Sequence, residues 1–182
     1  KHIWFGLTRL LTGEVNTKDS FAALCLIIAT IPAMLFGLTI KLFGYDILMR
    51  DNILLIGITS IGFGVFLWWS DNRNKESQEF GDITWSLKNS FKIGCAQALA
   101  LIPGTSRSGI TISAARILGY SRKHSVKISM LLSIPVIIAA SAFSIIENYL
   151  NGSKFELKVI FITLTFSYAA AYLAISVMLR FL

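Results

Sequence analysis

The chain has 182 residues, of which 54% are hydrophobic and only 15% are charged. Soluble globular domains carry about 25% charged residues, so this composition argues against a soluble domain and favours an integral membrane protein. The net charge of +7 does not indicate nucleic acid as a partner, because the cations lie at the ends of apolar runs, where loops meet lipid headgroups.

Four apolar runs are long enough to cross a bilayer, which takes about 20 helical residues. They are predicted as membrane spans at residues 20–40, 53–70, 128–146 and 159–179. Aqueous loops are predicted at 41–52, 71–82 and 147–158, and residues 83–92 are predicted to form an amphipathic approach to the central segment. Ser60 and Gly64, four positions apart in the second span, indicate a close helix contact.

The central segment, residues 103–109, has the sequence PGTSRSG. Apolar runs lie on either side of Arg107, at 93–106 and 108–115, and each is too short to span a membrane. We therefore predict a re-entrant pair of short helices at about 93–116 that turns back at 103–106. Irregular backbone at membrane depth needs surrounding protein or a wet cavity, so we also expect Arg107 to point into a polar cavity.

The distribution of basic residues agrees with this layout. Four crossings and one re-entrant pair put residues 1–18, 71–127 and 180 on one side of the membrane, and 13 of the 17 Lys and Arg lie there. This asymmetry predicts that the crowded side is cytoplasmic.

The chemistry of the central segment suits a phosphate, because a guanidinium binds phosphate oxygens in a bidentate manner. Amides of the helix after Ser106 would add donors, and Gly104 and Gly109 would let the backbone approach a ligand closely. An intramembrane arginine costs about 2.5–3.5 kcal/mol on insertion scales, so Arg107 needs an anionic ligand or a protein partner. In the structural alternative, Arg107 caps a broken helix and bonds carbonyls or Glu147.

Other polar residues give less direct signals. Gln97 is interpreted either as a site ligand or as a helix–helix hydrogen-bonding residue. Cys25 and Cys95 lie in apolar segments and are predicted to be buried free thiols, and His2 and His124 are expected to be solvated. The sequence has no metal-ligand spacing, no Ser-His-Asp order and no paired carboxylates.

Residues 94–102, GCAQALALI, together with PGTSRSG, resemble the second signature of the bacterial undecaprenyl-diphosphatase family, also called bacitracin-resistance proteins. The downstream stretches TIS at 111–113, LG at 118–119, SR at 121–122 and LSIP at 132–135 are similar as well. The strong resemblance covers roughly residues 82–146.

The resemblance implies an enzyme that hydrolyses undecaprenyl diphosphate to undecaprenyl phosphate. This reaction recycles the lipid carrier of peptidoglycan and cell-wall synthesis in the bacterial inner membrane. The four predicted spans and the re-entrant pair would form part of an all-α inverted-repeat fold. Arg107 is implied as the catalytic residue that binds the diphosphate, and the implied substrate-binding set is Gly104, Thr105, Ser106, Arg107, Ser108 and Gln97.

The resemblance also implies a divalent cation, Mg or Ca, whose ligands do not lie in this chain. The expected partners are a polyprenyl diphosphate lipid and the membrane, with a homodimer as a possible assembly.

One departure from the family is the missing earlier signature, of the form E-G-x-x-E-F-L-P-x-S-S-x-G-H, which would supply the acid/base or nucleophile and the metal-binding carboxylates. We therefore expect residues 1–182 to be a single polytopic membrane domain that is part of a longer protein and inactive alone. Two alternatives stay open. One is a membrane transporter or lipid flippase for an anionic substrate, since broken helices with an intramembrane arginine also occur there. The other is a structural membrane fragment without activity.

Overall fold

The computed structural model describes residues 18–44, 52–73, 86–150, 152 and 157–181. These residues form helices and turns, without a strand. The helices are α1 (Lys18–Leu42), α2 (Ile53–Arg73), α3 (Leu87–Ala98), a 3₁₀ turn (Leu99–Leu101), α4 (Arg107–Ile117), α5 (Arg122–Leu150) and α6 (Leu157–Phe181). Helices α1, α2, α5 and α6 are each long and apolar enough to cross a membrane, so the prediction of an all-α, multi-pass membrane protein is confirmed.

All four spans extend further than predicted. Helices α1 and α6 each extend two residues further at both ends, so Lys41 and Leu42 are helical rather than part of the predicted loop. Helix α2 continues to Arg73, so residues 71–73 are helical rather than part of an aqueous loop. Helix α5 begins at Arg122 and ends at Leu150, so Glu147 is also helical. Hydropathy marks the part of a helix that lipid surrounds, whereas backbone hydrogen bonding continues into polar residues. The predicted loop residues 45–51, 74–82, 151 and 153–156, together with His2 and residues 83–85, lie outside the described residues.

The region of the predicted re-entrant pair, at about residues 93–116, contains two short helices, as predicted. Helix α3 continues into the 3₁₀ turn, residues 102–106 are not helical, and α4 begins at Arg107. We call residues 102–106 the hinge. Helix α3 packs against α1, and α4 packs against both α2 and α3. At Gly94 a Cβ would overlap the backbone of Ala29, so this glycine is what allows α3 to touch the α1 backbone.

The chain divides into two units, residues 1–140 and 141–182. The core of the first unit combines side chains of α1, α3, α4 and α5 with Tyr120, which lies between α4 and α5; its members are Leu26, Ala29, Ile93, Ala115, Tyr120, Ile128 and Leu132. In the second unit, the large apolar side chains of α6 from Val159 to Val177 are exposed. Exposed apolar faces are expected of helices that lipid surrounds. The extent of the single domain stays a prediction.

Candidate functional site

Ser106 starts α4. Its Oγ accepts a hydrogen bond from the Gly109 amide at 3.2 Å, which is the bond an N-capping serine makes. Among the described residues, the amides of Arg107 and Ser108 have no acceptor. The first turn of α4 therefore offers two free N–H donors at the positive end of the helix dipole, an arrangement that favours an anion.

Arg107, the first residue of α4, is half-buried. One terminal nitrogen, Nη2, donates to the carbonyl oxygen of Leu132 in α5 at 2.8 Å. Three residues further along α5, Pro135 lacks the N–H that the helical ladder requires, so one donor of that ladder is missing close to the Arg107 contact. This carbonyl bond belongs to the structural interpretation of Arg107. It is the only acceptor for this guanidinium among the described residues, so the other N–H groups stay available to a ligand.

Buried polar atoms without partners are confined to two residues of the predicted site. In the described part of the chain these atoms are Nε2 and Oε1 of Gln97 and Oγ1 of Thr105. The Gln97 side chain is only 2% exposed. Leaving such groups unpaired costs about 1–3 kcal/mol each, so their orphaned state needs an explanation. A polar ligand beside the hinge provides one, whereas a helix–helix hydrogen bond from Gln97 is not present among the described contacts.

The structure brings most of the predicted site residues together but not all of them. Gly104, Thr105, Ser106, Arg107 and Ser108 occupy the hinge and the first turn of α4, and the hydroxyls of Ser106 and Ser108 lie 3.4 Å apart. Gln97 lies in the last turn of α3, on its buried face. No hydrogen bond connects Gln97 with the hinge within the described residues.

Two hydroxyls of α2, at Thr59 and Ser60, bond to hinge carbonyls, and these residues were not predicted as part of the site. The spacing of Ser60 and Gly64 indicated a close helix contact, whereas Ser60 bonds Gly104 in the non-helical hinge. The prediction was wrong for Gly64, because no atom lies within 4 Å of a Cβ built there. Hydroxyl-bearing residues inside an apolar span are the signal that could have identified this pair.

A cluster of charges fixes the far end of α4. Arg116 is 3% exposed. It donates from Nε to Asp71 Oδ1 at 3.1 Å and from Nη1 to the Tyr120 carbonyl at 2.9 Å. Arg122 adds a 2.7 Å bond from Nη2 to Asp71 Oδ2. A buried guanidinium requires such pairing, so this cluster of Asp71, Arg116 and Arg122 anchors α4 to the ends of α2 and α5.

The comparisons with known proteins identify the family of this chain. The model of the bacitracin resistance protein BacA family matches residues 1–182. The chain belongs to this family. It is 44% identical, over 97% of its length, to an undecaprenyl-diphosphatase of Dinoroseobacter shibae, and it covers 65% of that relative.

A second relative, an undecaprenyl-diphosphatase of Roseobacter denitrificans, is 53% identical over 75% of the chain, and half of that relative is covered. An undecaprenyl-diphosphatase 2 of Stutzerimonas stutzeri is 40% identical over 98% of the chain and 67% of the relative. The chain thus spans about half to two thirds of the length of these members of the family.

The described residues do not fit the divalent cation that the family resemblance implies. They contain no group of three His, Cys, Asp or Glu side chains that could hold a metal ion. The first turn of α4 instead presents the guanidinium of Arg107 and backbone N–H donors, which do not bind a cation. Asp71, the acid in the charge cluster, already accepts bonds from two arginines.

Two grooves lie on the surface of the first unit. One, of about 390 Å³, is lined by Gly64, Leu67, Trp68, Asp71, Ile112, Arg122 and Val126. The other, of about 320 Å³, is apolar and lies between α1 and α3. Neither is lined by Arg107, so the polar cavity expected around this residue stays a prediction.

The two cysteines and His124 can be compared with their predictions. Neither cysteine forms a disulfide, as predicted, but only Cys25 is buried. The prediction of burial was wrong for Cys95, which lies on the exposed side of α3, since the buried face of that helix consists of Ser90, Ile93, Gly94, Gln97 and Ala98. His124 is exposed, as predicted, with Nδ1 2.8 Å from the Ser121 hydroxyl.

Proposed function

We propose that the full-length protein containing this chain is an undecaprenyl-diphosphatase of the bacterial inner membrane. It hydrolyses undecaprenyl diphosphate to undecaprenyl phosphate and inorganic phosphate, returning the lipid carrier to cell-wall synthesis. Membership of the family and the names of the relatives support this activity. The single structural observation that carries it is the concentration of unused hydrogen-bonding groups at Gln97, Thr105 and the start of α4.

The geometry supports a diphosphate-binding role for the hinge. Arg107 keeps N–H groups free beyond its bond to Leu132, and these can bind phosphate oxygens as a fork. The Arg107 and Ser108 amides can donate to the same group along the helix axis. Such fixed donors stabilise negative charge as it develops on the bridging oxygen during hydrolysis.

Activation of water requires a further group. General acid or base catalysis needs a titratable side chain within hydrogen-bond reach of the reacting atoms, and the described residues provide none beside Arg107. We propose that this group lies in the part of the relatives' length that the chain does not cover. The divalent cation also stays a proposal, and none of the roles assigned here depends on it.

The test is phosphate release by the purified full-length protein in detergent. We expect saturable release from undecaprenyl diphosphate and none from undecaprenyl phosphate. A vesicle assay with fluorescent polyprenyl diphosphate separates this function from the alternative. Movement of the lipid across the bilayer without phosphate release would indicate a flippase and contradict the hydrolase. Light scattering in detergent would check the predicted homodimer.

A further inference from the structure

Helix α2 bonds directly to the hinge through two side chains. Thr59 Oγ1 donates to the Pro103 carbonyl at 2.6 Å, and Ser60 Oγ donates to the Gly104 carbonyl at 3.1 Å. The donor and acceptor in each pair are 44 positions apart in the sequence. Two consecutive residues of a long helix therefore hold two consecutive carbonyls of a non-helical segment.

These carbonyls have no other donors within the described residues. The hinge backbone forms bonds from Ile102 to Leu99 and from Thr105 to Ile102, and neither Pro103 nor Gly104 accepts from an amide. Where no water reaches these carbonyls, each unsatisfied group costs several kcal/mol. The hinge conformation therefore depends on the two hydroxyls.

The Thr59 hydroxyl has a choice of acceptors, since it carries one proton. The carbonyls of Leu55 and Ile56 in its own helix lie at 2.8 and 3.1 Å, both further than Pro103. Threonines in helices ordinarily bond their own backbone in this way. Of the three carbonyls, the one at Pro103 lies nearest to the hydroxyl oxygen, so Thr59 is placed to donate to the hinge.

Helix α2 and the hinge also touch sterically. Gly104 has φ of 88°, a conformation that side-chain-bearing residues rarely adopt. A Cβ at this position would overlap Thr59 Oγ1 and the Ile56 carbonyl. Two constraints therefore require glycine at position 104: the positive φ of its backbone and the close approach of α2.

We propose that Thr59 and Ser60 are positioning residues for diphosphate hydrolysis, which set the location of Ser106 and Arg107 by holding the Pro103–Gly104 turn. This inference rests on the proposed function. Gly104 precedes Arg107 by only three residues, so a shift of the turn moves the start of α4 with it. Misplacement of a binding group by about 1 Å can lower a rate about 100-fold.

The experiment compares variants of the full-length protein. Thr59→Val keeps the shape of the side chain and removes the donor, and Thr59→Ser retains the hydroxyl. Thr165→Val is the matched control, because within the described part of the chain Thr165 bonds only the Phe161 carbonyl of its own helix, at 2.8 Å. We expect Thr59→Val to lower kcat about 10- to 100-fold with a smaller change in KM. Thr59→Ser should stay within about threefold of wild type, Thr165→Val should be unchanged, and Ser60→Ala should have a smaller effect than Thr59→Val.

Hydrogen–deuterium exchange of residues 105–109 gives a readout that does not need activity. Thr59→Val should exchange faster there than wild type, and Thr165→Val should not. Wild-type kcat and exchange in Thr59→Val would overturn the inference. So would a loss of kcat that Thr59→Ser does not restore, since that indicates general destabilisation. If the wild-type protein releases no phosphate, the proposed function fails, and unchanged exchange in Thr59→Val would then refute the hinge contact separately.

Discussion

Arg107 commits only part of its hydrogen-bonding capacity to the protein. One of its five N–H groups donates to the Leu132 carbonyl at 2.8 Å. The same residue begins α4, whose first turn carries the free amides of Arg107 and Ser108. Under the proposed function the remaining N–H groups bind the diphosphate, so the structural interpretation of Arg107 from the sequence is compatible with the anion-binding one.

Replacement of Arg107 should separate these two contributions. In the full-length protein, Arg107→Ala should abolish diphosphate hydrolysis. Arg107→Lys should lower the rate of phosphate release about 100-fold or more, because an ammonium cannot reproduce the bidentate fork. The measurement is phosphate release, with Arg73→Lys at the exposed end of α2 as the control. Near-normal turnover of Arg107→Lys would show that Arg107 acts only as a structural tie.

Gln97 gives a second prediction at this scale, in which stability and activity change differently. Gln97→Leu removes two buried atoms that have no partner. Loss of an unsatisfied group does not destabilise a protein, so the melting temperature in detergent should stay the same or rise, while phosphate release should fall. Thr111→Val is the contrast, because it breaks a 2.7 Å hydroxyl pair with Ser129 and should lower the melting temperature. A comparable loss of stability in Gln97→Leu would indicate a helix–helix hydrogen bond.

At the scale of elements, the packing of α3 depends on the absence of a side chain at one position. Gly94→Ala would place a methyl group into the backbone of Ala29, and overpacking of this kind costs about 1–3 kcal/mol. We expect a lower melting temperature and reduced activity, because α3 carries Gln97. Gly62→Ala in α2 is the control, since nothing lies within 4 Å of a Cβ there. Equal stability of the two variants would show that α3 can move away from α1 without penalty.

The number of long and short helices was predictable from the sequence, because the length of each apolar run determines whether a helix can span the membrane. Four runs of about 20 apolar residues required four long helices, and two shorter runs around Pro103 required a break. The ends of the helices were not predictable, because Asp71 and Arg122 are polar residues that lie in helices and pair with each other, and hydropathy does not report such pairing. Each is held by a partner 51 positions away. The contact of Thr59 with Pro103 was missed for the same reason, since helix periodicity does not specify which neighbour a hydroxyl faces.

At the scale of the whole molecule, the proposed function assigns charge stabilisation but no proton transfer to this chain. We expect the isolated chain in detergent to bind inorganic phosphate or diphosphate weakly and to release no phosphate from a polyprenyl diphosphate. The reason is that Arg107 and the α4 amides can stabilise an anion, whereas no titratable group adjoins them in the described residues. Phosphate release and calorimetric binding are the measurements, with Arg107→Ala as the control for binding. Turnover comparable to the full-length protein would show that the acid/base group lies within this chain.

The site as a whole was predictable in composition but not in environment. The sequence of residues 103–109 indicated an anion site through one guanidinium, three hydroxyls and two glycines. It could not indicate that Thr105 and Gln97 would be buried without partners, because burial depends on how α3 and α4 pack against α1 and α2. Those orphaned atoms are the part of the site that only the three-dimensional arrangement reveals.

The two ties of the hinge also differ in when they can form during synthesis. Thr59 and Ser60 precede the carbonyls they bond, so as the ribosome delivers the chain from its N-terminus, donors are waiting when Pro103 and Gly104 emerge. The acceptor of Arg107 belongs to Leu132, which is made 25 residues later. We therefore expect nascent α4 to enter the bilayer with the carbonyls of its preceding turn already bonded, and with Arg107 without its partner until α5 is inserted.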